Sequence, residues 1–314
     1  MESFLIDAEV LTPIIMAGAE TVSPKLRTQS IKGLLRWWYR FYKSSLVNSL
    51  DELKKAEAEI WGSTDKASLV KLQIISEPDP NTINDAYLCM NDQSTKPPAP
   101  KPYDKIKRKS YYPYTTFQLK LNFSPLCILS KQKKIIQKEV IISLWLLSML
   151  GGIGARWRRG FGSIKLKINN QTEYEDFSFE YPANKIEEVL KTHLYNNTSQ
   201  WTSFSSNFPI LKNTKIYYLK PSNHRWNTWQ QTMNDLRDEF YRAFKKKIGL
   251  SSIGSANPRE ASPLVIQIKQ TQAGEFFGIV LVFRKYFRHR DIQLEINNFL
   301  KGQTFFQYKE VTYV

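Results

Sequence analysis

At 314 residues, 42% hydrophobic and 24% charged, the chain is long enough for about two domains with their own cores and too apolar for a disordered protein. Lys and Arg outnumber Asp and Glu by 45 to 29, a net charge of +16 with a pI near 9.6, so the expected partner is anionic. Met1-Glu2-Ser3 lacks the start of a secretion signal, no apolar stretch reaches the ~20 residues of a membrane span, and Cys89 and Cys127 have no metal-ligand spacing; a reducing cytoplasm, no membrane contact and no cofactor are expected.

Phe4, Ile6, Ala8 and Val10 alternate with Leu5, Asp7 and Glu9, as in a half-buried strand. Residues 13–30 read as a loop carrying Gly18, Ser23 and Pro24. Ser30 is the expected cap of a helix reaching about Asn48. On that helix Ile31, Leu34, Leu35, Trp38 and Tyr42 share one face, and Lys32, Arg36, Arg40 and Lys43 share another. Between Thr21 and Leu50 there are six basic residues and no acid. Exposed helix faces usually mix the two signs, so the stripe reads as a polyanion contact. Of the adjacent Trp37 and Trp38, one belongs to the core and the other is a candidate stacking platform. A short helix follows at 51–59, with Glu57 and Glu59 read as surface or ion-pair residues. A strand follows at 69–75.

Residues 76–114 are an insertion expected to be mobile. Pro78, Pro80, Pro97, Pro98, Pro100 and Pro102 lie in it with Lys101, Lys105, Lys107, Arg108 and Lys109 and with Tyr111, Tyr112 and Tyr114. That mixture suits a nucleic-acid arm or a solvated loop equally. Phe117, Leu119, Leu121 and Phe123 mark the clearest strand, and Ser130 is the expected cap of a helix to Leu150. A glycine-rich loop leads into a strand at 163–168. Residues 169–212 read as linker and insertion with a short helix near 185–194. The element order then returns: strand 215–219, helix 228–248, strands 264–268 and 276–283, helix 291–300, strand 304–311. Each half is βαββαβ, the order of a ferredoxin-like antiparallel sheet with both helices on one face. The fold class expected is therefore α+β, two such units in tandem: 1–168, then 169–212, then 213–314. Such a sheet can leave its other face open, as RNA-recognition modules do.

The loop between the second helix and fourth strand is Gly151-Gly152-Ile153-Gly154-Ala155-Arg156-Trp157-Arg158-Arg159-Gly160-Phe161-Gly162-Ser163, with five glycines, three arginines and no acid. A dinucleotide fingerprint needs strand, glycines, then helix, the reverse of this order, and the G-x-x-x-x-G-K-[ST] of a P-loop is missing. Gly151 alone would suffice for a helix cap. The remaining glycines expose backbone N–H groups that can approach a phosphodiester chain, and arginines add forked donors and stacking faces.

These residues resemble a known family. Two ferredoxin-like units with this loop are similar to the RAMP proteins of CRISPR systems. Closer still, Leu11-Thr12-Pro13-Ile14 with Gly18, Ser30-Ile31-Lys32-Gly33-Leu34-Leu35-Arg36-Trp37-Trp38, residues 57–64 and the loop resemble the first subunits of the Cmr complex, the type III-B RNA-guided effector. In the second half the likeness rests on element order and on Arg259-Glu260-Ala261-Ser262-Pro263-Leu264. The resemblance implies a non-catalytic subunit that contacts guide RNA near its 3′ end, helps engage target RNA and adjoins other RAMP subunits. Carried onto this sequence, the RNA contacts would be Lys32, Arg36, Trp37, Arg40, Gly152, Gly154, Arg156, Arg158, Arg159 and Gly160. Pro24-Lys25-Leu26-Arg27 and Arg225 are secondary candidates.

Two alternatives stand beside that reading. Related RAMP proteins process CRISPR transcripts without metal, which calls for a positioned acid or base such as histidine; only His193, His224 and His289 exist, all outside the motif-rich half. A purely structural adaptor could dock neighbours through aromatic patches such as Trp201 to Phe204 or Tyr217-Tyr218.

Overall fold

The computed structural model describes residues 2–18, 23–87, 107–169, 177–182, 186–195, 201–202, 209–248, 262–284, 286–287 and 290–311. Its first half runs β1 (Ser3–Val10), α1 (Thr28–Lys43), α2 (Leu50–Trp61), β2 (Val70–Ser76), β3 (Ile83–Tyr87), β4 (Lys107–Tyr111), β5 (Thr116–Phe123), α3 (Pro125–Ile128), α4 (Lys133–Leu150) and β6 (Ile164–Ile168). The main sheet has the order β2-β5-β1-β6, every pair antiparallel. With α1–α2 and α4 as its two crossovers, this is the ferredoxin-like topology. The period-2 signal is realised literally: Phe4, Ile6, Ala8 and Val10 are buried, and the residues between them are half-buried.

Helix starts depart from the caps expected. α1 begins at Thr28 behind Arg27, which makes no side-chain cap. Pairing of the preceding chain sets that start: Lys25 N–H donates to Met16 O at 2.8 Å and Ala17 bridges Pro24. Ser130 does not cap α4. It closes the turn after α3, donating its N–H to Cys127 O, and α4 starts three residues later. α2 follows the rule, with Ser49 accepting from Glu52 N–H and two acids in its first turn. The insertion is not wholly irregular, since β3 and β4 pair antiparallel from Ile83↔Tyr111 to Tyr87↔Lys107. Its prolines at 97–102 with Lys101 and Lys105, and Cys89, lie outside the described residues.

The second half contains α5 (Ile186–Tyr195), β7 (Thr214–Pro221), α6 (Trp229–Asp235), a π-helical segment (Leu236–Arg242), α7 (Ala243–Lys247), β8 (Leu264–Gln270), β9 (Phe276–Phe283), two short strands β10 (Tyr286–Phe287) and β11 (Arg290–Asp291), α8 (Ile292–Lys301) and β12 (Phe306–Val311). Its sheet order, β12-β7-β9-β8, repeats the first topology strand for strand. The helix expected over 228–248 is realised as one run with a π segment inserted between α6 and α7, along which Leu236, Phe240 and Phe244 are all buried.

The expectation of an open sheet face fails for this second sheet. β9 is buried along its whole length. Phe276, Val280 and Val282 join the second unit's own core, whereas Phe277, Ile279, Leu281 and Phe283 join the core built around α1 and α4. α4 is correspondingly buried at 13 of its 18 residues, too many for a helix with one solvent side. The first unit's helices therefore lie between two sheets. Residues 177–182 are packed onto α4: Tyr181 is buried with its hydroxyl donating to Met149 O at 2.7 Å, and Trp145 Nε1 donates to Ser178 O at 2.9 Å.

Candidate nucleic-acid interface

The glycine loop sits in the seam between the units. Ile153 N–H donates to Gly162 O at 2.8 Å, folding the loop into a closed hairpin. Gly162 N–H reaches Pro13 O at 3.0 Å and Ala155 N–H reaches Ile15 O at 2.6 Å, which ties it to the segment after β1. Gly160 N–H donates to Ile266 O at 2.7 Å and Ile266 N–H to Arg158 O at 3.0 Å, so Arg159 forms a parallel bridge with β8. Several glycines are thereby explained by protein contacts. A Cβ on Gly152 would lie 2.8 Å from Gly162 O, one on Gly154 2.6 Å from Ile15 O, one on Gly160 3.0 Å from Met233 Sδ.

β8 turns polar side chains towards this loop. Gln267 accepts from Ser163 Oγ at 2.6 Å and donates to Trp157 O. Lys269 is fully buried, its Nζ donating to Ser148 O and, at 2.7 Å, to Gly151 O at the end of α4. Burial pushes its pKa down to about 7. Neither residue was singled out from sequence; in Leu264-Val265-Ile266-Gln267-Ile268-Lys269 they alternate with apolar residues, a pattern that looks like an outward face.

The three arginines of the loop have different surroundings. Arg158 enters an aromatic nest, its guanidinium carbon 5.3 Å from the Trp157 ring centroid, 5.5 Å from Trp37 and 5.9 Å from Phe283. Its Nη1 donates to Ser262 O at 3.4 Å, and burial lowers its pKa. Arg159 is half-buried, and its Nη1 is enclosed with no hydrogen-bond partner. The pKa of Lys245 falls through burial and then through the neighbouring Arg159 charge, so two cations lie near each other here. Arg156 is half-buried and holds the left-handed conformation, φ 58°.

On α1 the candidates divide. Trp37 faces the seam, stacked on Phe41 at 5.6 Å and edge-on to Trp157 at 5.5 Å, while Trp38 is core. The basic stripe looks the other way. Lys32 Nζ donates to Ser68 Oγ at 2.8 Å and Val70 O at 3.1 Å, and burial, then the Arg36 charge, lowers its pKa. Arg36 Nε and Arg40 Nη1 share Glu57 Oε1 at 2.6 and 2.7 Å, and Lys43 pairs with Glu139. A stripe without local acids thus finds its counter-charges on α2 and α4. Of the ten candidates, the loop residues and Trp37 come together at the seam, and Lys32, Arg36 and Arg40 form a separate group against α2 and β2.

Lys25 and Arg27 are exposed, and Arg225 pairs with Glu275 at 2.8 Å. Residues 259–261 and His289 lie outside the described residues, as does the His193 side chain; His224 lies 3.3 Å from Asp235, which also accepts from Trp226 Nε1. Among the described residues no group of three or more His, Cys, Asp or Glu is arranged to hold a metal ion, and no helix is long and apolar enough to cross a membrane.

Comparison with known proteins agrees with this architecture. The chain is 26% identical over 247 residues, 71% of its length and 68% of the relative's, to CRISPR system Cmr subunit Cmr1-1 of Pyrococcus furiosus. It is 28% identical over 189 residues, 54% of its length, to Cmr1-2 of the same organism, covering 97% of that protein. A crystal structure of Cmr1 from Pyrococcus furiosus in its apo form superposes over 99% of both chains with a TM-score of 0.65 and 21% identity. A chain of the type III-B Cmr-beta complex bound to cognate target RNA shares the fold over 96% of this chain and 99% of its own, with a TM-score of 0.59 and 14% identity. The RAMP superfamily model matches residues 7–165, the stretch from β1 through the glycine loop into β6, and the chain therefore belongs to the RAMP superfamily.

Proposed function

We propose that this chain is an RNA-binding subunit of a type III-B CRISPR effector ribonucleoprotein with no catalytic centre of its own, contacting guide RNA near its 3′ end and helping to capture target RNA beside other RAMP subunits. The observation that carries the reading is the pair of Arg159 and Lys245. Arg159 is half-buried, with one guanidinium nitrogen enclosed without a partner and the half-buried Lys245 close enough to feel its charge, so the accessible parts of two neighbouring cations are offered to a phosphate. Similarity to Cmr1 proteins and the net charge of +16 point the same way.

Within this reading the candidates take different roles. Arg156 and Arg159 hold phosphates. Arg158 positions Trp37 and Trp157 at the seam. Gly152, Gly154 and Gly160 bring the loop backbone close enough to the protein to fix both arginines. Lys32, Arg36 and Arg40 add positive field from a neighbouring surface, attenuated by Glu57. The test is single-stranded RNA binding by fluorescence anisotropy across a salt series. Each lost phosphate contact should flatten the log–log slope by about 0.7, so the double variant Arg156→Ala/Arg159→Ala should lose about twice that. An unchanged slope assigns the loop a purely structural role and sinks the reading.

A further inference from the structure

Among the described residues two non-glycine positions adopt positive φ, Arg156 at 58° and Tyr114 at 69°. A bulky residue in this region is strained and persists only where its surroundings enforce it. Both strained residues hang from one stretch of chain, residues 10–15. On one side Tyr114 N–H donates to Val10 O at 2.8 Å, Val10 N–H donates to Thr115 O at 2.9 Å, and Ile14 exchanges two hydrogen bonds with Tyr111. On the other side Ile15 O accepts from Ala155 and Pro13 O from Gly162. Thr115 Oγ1 closes the tyrosine turn by donating to Tyr112 O at 2.7 Å.

The strain at Tyr114 brings no burial. Tyr111 is buried with its hydroxyl on Glu77 and Pro24 O, and Tyr112 lies edge-on to Trp229 at 5.8 Å. Tyr114 alone of the three turns outward, 59% exposed. Its backbone is pinned on both sides and follows Pro113, so the ring is presented to solvent from a fixed base. A fixed, exposed aromatic ring is the equipment of a base-stacking platform, which works on any base because every base has a π-face.

We propose that Tyr114 stacks a base of the single strand whose phosphate Arg156 holds. This rests on the RNA reading above and adds a residue to it. The experiment compares wild type with Tyr114→Gly, Tyr114→Asn and Tyr114→Phe, measuring thermal midpoint and affinity for an oligouridylate and for the same oligomer with abasic positions. Gly and Asn both accept the left-handed turn, so the melting temperature should hold or rise while affinity for oligouridylate falls about tenfold. Tyr114→Phe should bind as wild type. The salt slope should not move, because no charge is removed, and the wild-type preference for intact over abasic RNA should shrink in Tyr114→Gly. Wild-type affinity in both Tyr114→Gly and Tyr114→Asn would overturn the stacking role, while a normal loss in Arg156→Ala/Arg159→Ala would leave RNA binding standing. Should neither set of variants lose affinity, the RNA reading itself falls. If Tyr114→Gly keeps RNA affinity but no longer joins a neighbouring subunit, the ring is a protein anchor and the proposal is wrong.

Discussion

Lys269 shows how much one residue can reveal about the seam. Its ammonium group is surrounded by the end of α4 and the first turn of the glycine loop, and burial lowers its pKa from 10.5 to about 7. Between those values the unfolded chain binds the proton and the folded chain does not. Stability must therefore rise with pH across that window, and the burial penalty is complete only below pH 7. The urea midpoint of the wild type should increase from pH 7 to pH 9.5, and Lys269→Met, which keeps the length and removes the charge, should flatten that increase. Equal slopes for the two proteins would mean that the lysine stays protonated in the folded state and reaches water. The residue also marks a limit of pattern reading, since a lysine at an alternate strand position looks solvated until another element covers it.

At the scale of the element, the glycine loop was legible as special and less so in its reason. Composition and position between α4 and β6 were evident from residues 151–163. What the backbone approaches was not: Gly162 holds φ 65°, and a Cβ there would lie 1.8 Å from Ile153 O, inside the hairpin that closes the loop. Gly162→Ala should therefore cost about 3 kcal/mol or more, through left-handed strain and a backbone clash together. Thermal denaturation measures this, and a loss below about 1 kcal/mol would show that the loop can open without disturbing the seam. The stripe on α1 carries the complementary lesson. Its spacing was readable, but Glu57 and Glu139, which neutralise parts of it, sit 17 or more residues away in sequence.

For the whole molecule, the decisive feature is that β9 serves two cores. Phe277, Ile279, Leu281 and Phe283 face α1 and α4 of the first unit, and Trp37 and Phe41 both lie 6.0 Å from Phe283. A fragment spanning 213–314 would expose that apolar face, a contiguous patch that soluble monomers avoid. Expressed alone, it should aggregate or lack a cooperative transition by circular dichroism, while the full chain should unfold in a single step. A soluble, cooperatively folding fragment would show that the second unit does not need the first. The same arrangement places the arginines between the units, so RNA binding should report on their union.

The sequence by itself determined the elements and their twice-repeated order, because strand alternation, helical periodicity and glycine placement are local properties that neighbouring residues encode. It also determined the basic character and the loop that carries the family likeness. The tertiary structure alone decided which faces meet. The same apolar alternation in β9 could have faced solvent, a helix of its own unit or a helix of the other, and burying Lys269 or pairing Arg36 with Glu57 depends on segments brought together only by folding. Local periodicity says that a face is apolar or charged; it holds no information on what lies across from it.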